Sequence, residues 1–405
     1  MRGETILCIA TRVWHSLWRD SQPIMSRLAK QNRVLYFEPG RNPDRRHSAE
    51  MWRNWPNLFC LRARTLDENL ILIPTPPSLP VMRRHLPRSV LQVTTPWVTR
   101  INARVLIRHV HWAMRAYDVK DPILWLYSPY HVDLVGQLGA KLACYFRYDD
   151  YPSFVQNQRV REFLREYDTR LSGAVDVVFT TSRSQWARCK ADNPSTFFVP
   201  NAVDFDLFNR ALAPNGSLPP DIAVVPRPII GYAGWLGYQI DTELLRLVAD
   251  TYPDYSVVLV GPDELPCAAD REQLRARANV FFLGRKEREE LPDYLQAFDA
   301  ALIPYTLAGY TLTAYPLKLH EYLAAGRAVV STALPELRPY CHVLRIAETR
   351  EEFVLQVQDA LKDYAPQAIE ARVAVARENT WEQRVVEIYR ILQDRLPAVP
   401  TEEAL

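Results

Sequence analysis

Lys318 and Glu321 are the residues of this 405-residue chain best placed by type and spacing to do chemistry, in Tyr315-Pro-Leu-Lys-Leu-His-Glu-Tyr-Leu-Ala-Ala-Gly-Arg-Ala-Val-Val330. Pro316 suits a first helical turn, whose leading N–H groups have no intrahelical partner. Those N–H groups and the Lys318 ammonium attract an anion, and Glu321, one turn on, can accept hydrogen bonds from a hydroxylated group beside it. Gly326 supplies a left-handed C-cap ahead of a strand at Ala328. Spacing alone leaves a second reading open, an ordinary helix-to-strand unit with Leu317, Leu319, Tyr322 and Leu323 in the core and the two charges solvated. The other conspicuous group is the pair Asp149-Asp150 in Cys144-Tyr-Phe-Arg-Tyr-Asp-Asp-Tyr-Pro152. Adjacent carboxylates repel and the aromatics around them desolvate, which is expected to raise at least one pKa and suits a general base; helix capping is the alternative. Arg147 reads as a phosphate ligand or a salt-bridge partner. His15 and His131 are isolated, and a lone histidine is more often structural than catalytic.

Parallel strands must position these groups. Buried apolar runs at Ile6–Ala10, Val34–Phe37, Leu70–Ile73, Ile123–Tyr127, Leu142–Phe146 and Val175–Thr180 alternate with helical patterning. Ile229–Gly231, Tyr255–Val260, Val280–Leu283, Ala300–Ile303 and Ala328–Ser331 repeat the scheme. The pattern predicts an α/β protein of two Rossmann-like doubly wound domains, with Phe198–Phe208 and the Pro-rich 211–228 as the linker. Both Asp149 and the loops after Ile230, Val260, Leu283 and Ile303 then fall at carboxyl ends of strands, where open α/β sheets bind ligands.

The stretch around Lys318 resembles the donor-site signature of the group 1 (family four) glycosyltransferases, with Ala328 in place of the family's last Pro. Ile230-Gly-Tyr-Ala-Gly-Trp-Leu-Gly237, Val257–Pro262, Asn279–Gly284 and Phe298–Tyr305 are similar to that family's other C-terminal landmarks, in the family's order. Pro200-Asn-Ala-Val-Asp204 resembles the element that ends its first domain, and Arg377–Arg384 with the helix to Leu396 its closing helix. The resemblance is dense from about residue 175 onward and thinner before it. It implies the GT-B fold, two domains facing across a cleft: residues 1–200 bind acceptor, joined by a crossover helix at 377–396, and residues 201–376 bind donor. It implies a nucleotide diphosphate sugar as co-substrate, no further cofactor and no metal. Gly234 and Trp235 would approach the phosphates, Arg285 would frame the base, Thr313, Tyr315, Pro316, Leu317 and Lys318 would wrap the diphosphate and sugar, and Glu321 would hold the ribose hydroxyls. The Asp149-Asp150 segment resembles an element of a bacterial polysaccharide-assembly branch typified by teichuronic acid enzymes, with Phe146 where that pattern has its first Asp. There Asp149 and Asp150 would be catalytic, and His15, His131 and Arg147 would meet acceptor or phosphate. Two departures stand out: Thr313 occupies the place of a second glutamate, and Gly231–Thr242 holds no Arg or Lys.

The implied function is sugar transfer to a polysaccharide or lipid-linked acceptor in cell-surface glycan assembly. The alternatives are a nucleotide-sugar epimerase of the same fold and a non-catalytic nucleotide-sugar binder. No G-x-G-x-x-G follows either first strand, which disfavours a dehydrogenase, and no nucleic-acid-binding module is recognised. Six scattered cysteines without C-x-x-C indicate neither a disulfide framework nor a zinc site, and are expected reduced and mostly buried. No apolar run approaches the roughly 18 residues of a membrane span, so a cytoplasmic location is expected. Charge is segregated: basic residues outnumber acidic ones 29 to 17 over 1–200 and are outnumbered 30 to 20 over 201–405. Between Glu68 and Asp118 there is no acidic residue, while Arg83, Arg84, Arg88, Arg100, Arg104, Arg108 and Arg115 fall in that window. Within it, 97–117 reads as a basic amphipathic helix, with Val98, Ile101, Val105 and Trp112 as an apolar face suited to packing on the sheet. The purely basic face predicts contact with an anionic membrane surface or a pyrophosphate-linked lipid.

Overall fold

The structure, a computed structural model, describes residues 1–16, 18–39, 62–79, 88–155, 157–213 and 217–396. The chain divides into two compact units, Met1–Val199 together with the chain from Val385, and Pro200–Arg384.

The first unit is built on eight strands: β1 (Thr5–Ile9), β2 (Arg33–Glu38), β3 (Arg64–Asp67), β4 (Leu70–Pro74), β5 (Ile123–Leu126), β6 (Leu142–Arg147), β7 (Val177–Thr180) and β8 (Thr196–Phe198), in the order β3-β4-β2-β1-β5-β6-β7-β8. All neighbours are parallel except the β3–β4 pair. Sheet order reverses direction between β1 and β5, so the loops after these two strands open the place where such sheets hold ligands. One sheet face carries Leu7, Ile9, Leu35, Phe37, Leu124 and Leu126 against Ala103, Val110 and Ala113 of the helix Arg88–Ala116. On β5, β6 and β7, Trp125 stacks on Phe146 and Phe179 at centroid distances of 5.9 and 5.4 Å.

The apolar face predicted for the helix at 97–117 is not the face on the sheet. Small residues, Thr99, Ala103 and Ala113, are buried and let the helix lie close to the strands, whereas Ile101, Val105 and Trp112 are 43%, 43% and 50% exposed beside the exposed Arg100, Arg104, Arg108 and Arg115. Arg83 and Arg84 lie outside the described residues; Arg88 opens the helix.

The second unit holds β9 (Ile229–Ala233), β10 (Ser256–Val260), β11 (Val280–Gly284), β12 (Ala300–Ile303), β13 (Ala328–Thr332) and β14 (Arg345–Ala347), all parallel, in the order β11-β10-β9-β12-β13-β14. This is the doubly wound order with its reversal between β9 and β12. The described residues of 211–228, predicted as linker, belong to this unit. Ala211, Ile222 and Val225, with Phe208 before them, are buried in its core, because the apolar residues between the prolines have a sheet to pack on. Cys8, Cys144 and Cys189 are buried thiols and Cys267 and Cys341 are exposed; Cys60 lies outside the described residues. No helix among the described residues is long and apolar enough to cross a membrane.

Candidate functional site

At the reversal point of the second sheet, glycines end two adjacent strands and leave a notch. Gly234, just past β9, has φ of 148° and donates its N–H to the Val260 carbonyl at 2.7 Å. Gly261, just past β10, has φ of 142°, and a Cβ there would stand 1.9 Å from the Gly234 oxygen. Only two glycines allow this backbone contact. A Cβ on Gly234 would stand 2.2 Å from Lys318 Nζ, so the ammonium occupies the notch itself. It also lies 5.1 Å from the centroid of the Tyr232 ring, a cation–π approach. The helix Lys318–Ala324 is pinned there by Tyr322, whose hydroxyl accepts the Ala233 N–H at 2.8 Å.

Among the described residues neither Lys318 nor Glu321 has a hydrogen-bond or ion-pair partner for its side chain, although one turn of helix separates them and both are half-buried. Burial pushes the Glu321 carboxyl above its usual range, against the pull of Lys318 and Arg288. Charges held partly out of water without partners are costly unless a ligand meets them. Gly234→Ala should therefore displace the ammonium from the notch.

The other residues predicted at this site divide into those facing it and those that build it. The Trp235 indole donates to Glu264 Oε2 at 2.9 Å, and its carbonyl accepts from Tyr232 Oη and Gln239 Nε2 at 2.8 and 2.6 Å. Tyr238 joins it edge-on at 5.0 Å and Tyr310 continues the aromatic row. Tyr315 is buried, its hydroxyl shared between His320 Nε2 at 2.7 Å and Tyr340 Oη at 2.6 Å, so its phenol holds the fold rather than a ligand. Burial drives the His320 pKa down to about 3, which keeps that imidazole neutral. Thr313 donates to the Tyr310 carbonyl at 2.9 Å, Pro316 is buried and Leu317 half-buried. Arg285, past β11, is 52% exposed and 3.8 Å from Glu287. Arg288, absent from the sequence reading, is a second cation acting on Glu321, after Lys318; it is ion-paired to Asp204 and lies 6.0 Å from the Phe208 centroid. No spacing in the sequence links it to Glu321, 33 residues away.

In the first unit the predicted carboxylate pair is split by its surroundings. Tyr145 and Arg147 alternate onto one face of β6 and both meet Asp168 on the helix Gln158–Ala174, Tyr145 Oη donating at 2.8 Å and Arg147 Nε at 2.8 Å to Oδ2. Arg147 also donates to Asp150 Oδ1 at 2.7 Å, Arg188 reaches the same atom at 2.8 Å, and Ser153 donates to Oδ2. Arg147 is fully buried. Arg147 and Asp150 thus belong to one internal ion network, in which Arg147 Nη1 alone of the guanidinium nitrogens is buried without a partner. Arg147→Leu would leave Asp168 buried with one partner fewer and should destabilise the protein by about 3–5 kcal/mol; chemical denaturation checks this, and a loss under about 1 kcal/mol would contradict it.

Asp149 has no hydrogen-bond or ion-pair partner among the described residues. Burial lifts its carboxyl to about 6, against the pull of Arg19 and Arg12 and with a push from Asp20. His15 is exposed in the loop after β1. His131 sits in the turn Pro129–Leu134, its Nδ1 buried without a partner, and burial lowers its pKa to about 4. It borders a cleft of about 180 Å³ lined also by Thr75, Ser78, Asn102 and Tyr130. Among the described residues no cluster of His, Cys, Asp and Glu suits a metal ion.

Residues 228–365 match the family model described as glycosyl transferases group 1. Over 189 residues the chain is 28% identical to a Bacillus subtilis (strain 168) protein named as a teichuronic acid biosynthesis glycosyltransferase, TuaH, a match covering 45% of this chain and 47% of that one. The chain thus spans about half the length of the curated relative it matches. In fold it is similar to a trehalose-6-phosphate structure from E. coli bound with UDP-2-fluoro glucose, at TM-score 0.69 and 12% identity over 98% of this chain and 100% of that one. It is similar also to the α,α-trehalose 6-phosphate synthase of Burkholderia multivorans, at TM-score 0.66 and 13% identity over 97% and 99%. Residues 228–365 are thus similar to a group 1 glycosyltransferase domain, and the chain has a fold of two sheet units of the GT-B type.

Proposed function

We propose that the protein is a glycosyltransferase that moves a sugar from a nucleotide diphosphate sugar to a glycan or lipid-linked acceptor in cell-surface polysaccharide assembly. The observation that carries this reading is the unpartnered Lys318 and Glu321 at the glycine notch of the second sheet. In the transfer, the bond from the anomeric carbon to the diphosphate breaks and its electron pair leaves on the diphosphate. A new bond forms from that carbon to an acceptor oxygen, and the acceptor's proton is released. Lys318 offsets charge growing on the departing diphosphate, and Glu321 accepts hydrogen bonds from hydroxyls of the nucleotide sugar. Asp149, the member of the Asp149-Asp150 pair without an ion-pair partner among the described residues, receives the acceptor proton. The relative named for teichuronic acid biosynthesis supports a cell-wall glycan as acceptor class, and the neighbour bound with UDP-2-fluoro glucose supports a sugar nucleotide as donor class. The test is a screen of UDP-, GDP- and ADP-sugars by thermal shift, since a ligand of the native state raises its stability. Stabilisation by at least one is expected; stabilisation by none contradicts the reading.

The finer part of the proposal places the protein at the cytoplasmic face of a membrane through the helix Arg88–Ala116. Four exposed arginines lie among exposed Trp97, Ile101, Val105 and Trp112, in a stretch without acids, a pattern suited to anionic headgroups. Co-sedimentation with phosphatidylglycerol vesicles at low salt is expected, and Arg100→Glu, Arg104→Glu and Arg108→Glu together should abolish it. Unchanged binding by the triple variant would remove this helix from the membrane contact.

A further inference from the structure

The loop after β1 carries Arg12, Arg19 and Asp20, and the loop after β6 carries Asp149. The two loops are tied by the Thr11 and Tyr148 hydroxyls, 2.9 Å apart, each adjacent in sequence to one of these charges. The four charges act on one another electrostatically, Arg12 with Asp20 and Asp149, and Asp149 with Arg19 and Asp20. Yet among the described residues none of the four side chains closes to an ion pair, and apart from the Asp20 carboxyl's bond to its own backbone none makes a hydrogen bond, while Asp150, next in the chain after Asp149, takes two arginines. Asp20 is 4% exposed with Oδ2 unpartnered, Arg12 Nε is likewise buried and unpartnered, and so is the hydroxyl of Tyr127, the residue after β5. Each buried group left unpaired costs about 1–3 kcal/mol. Three of them at the reversal point of one sheet mark a place built for a polar ligand.

The mixture of signs says which ligand. An anion would satisfy the two guanidiniums and be repelled by the two carboxylates, and a cation would meet the reverse. An apolar chain would strand all four. A hydroxyl accepts from a guanidinium and donates to a carboxylate at once, and a vicinal diol does so twice. We infer that Arg12, Arg19, Asp20 and Asp149 form a hydroxyl-reading subsite for an uncharged sugar residue of the acceptor. The inference rests on the glycosyl-transfer reading, and it differs from the expectation that the first unit meets its acceptor through a charged group.

The test is isothermal titration of the full chain, at pH 7.5 with saturating nucleoside diphosphate, against methyl hexosides of gluco, galacto, manno and N-acetylgluco configuration, and against glucose 6-phosphate and glucuronate. At least one neutral glycoside should bind more tightly than both charged sugars, and Arg19→Gln and Asp149→Asn should each weaken it by about tenfold or more. Nucleoside diphosphate affinity, measured alone, should stay within twofold in both variants. The inference is overturned if a charged sugar binds tightest, if no neutral glycoside binds, or if both variants bind it as the wild type does. Nucleoside diphosphate binding retained in those cases would leave the donor reading standing, whereas its absence from the wild type would remove that reading as well. Melting curves of Arg19→Gln, a half-buried residue whose side chain forms no ion pair or hydrogen bond among the described residues, separate lost binding from lost fold.

Discussion

Lys318→Ala should lower turnover by about 10²–10³-fold, the loss typical when one preorganised charge or donor is removed from developing transition-state charge. The size follows from how the ammonium is held. The Gly234 notch, the Tyr232 ring face and the Tyr322 anchor fix Nζ with no protein anion in ion-pair contact with it. No Arg or Lys in Gly231–Thr242 can share the work. Because the side chain forms no ion pair or hydrogen bond and its contact is the cation–π approach to Tyr232, its removal should change stability by no more than about 2 kcal/mol. Steady-state release of nucleoside diphosphate beside a denaturation curve separates the two effects. A variant that loses fold and activity together would make Lys318 structural. Glu321→Ala should act chiefly on donor affinity, since hydroxyl contacts are made equally in the ground and transition states.

Asp149→Asn should reduce kcat by about 10²–10⁴-fold, the range for losing a general base, while Asp150→Asn should act mainly on stability. The asymmetry lies in the partners: Asp150 is held by Arg147, Arg188 and Ser153, whereas Asp149 is held by none. The pH dependence gives its sign. Burial raises the Asp149 pKa to about 6, so the carboxyl is protonated below that value and ionised above it. A base must be ionised to receive a proton, so kcat should climb as pH rises through about 6 and level off above 7. Arg12, Arg19, Asp20 and Arg147 face the group and set where that limb falls. Asp149→Asn should flatten it. A limb that survives the substitution would assign the titration to another group.

The strands that carry these groups were legible because parallel strands buried on both faces read as continuous apolar runs. Each predicted run coincides with an observed strand to within two residues, and Ala300–Ile303 agrees at both ends. The three strands without a sequence signal are β3, β8 and β14, at sheet edges. Arg64–Asp67 is exposed throughout and the other two have three residues each, so no apolar run announces them. The helix read at 97–117 was misread for a related reason: its sheet-facing side mixes small residues, Ala103 and Ala113, with Val110, Leu106 and Met114, and Ile101, Val105 and Trp112 pointed to the outer side instead. At the site, Lys318, Glu321 and Gly234 could be read from a local pattern. The division of Asp149 from Asp150, the commitment of Arg147 to Asp168, and the placing of Arg12, Arg19, Asp20 and Arg288 depend on contacts between distant segments, which spacing along one chain does not carry.

The most direct measurement is a calorimetric titration of the full chain with UDP, GDP and ADP and their monophosphates, repeated on Lys318→Ala with Glu321→Ala. At least one diphosphate should bind, the matching monophosphate should bind more weakly because it lacks the group that meets Lys318, and the double variant should abolish the difference. A wild-type chain that binds none of the three diphosphates, or binds di- and monophosphate equally, would contradict a nucleotide diphosphate sugar at the glycine notch.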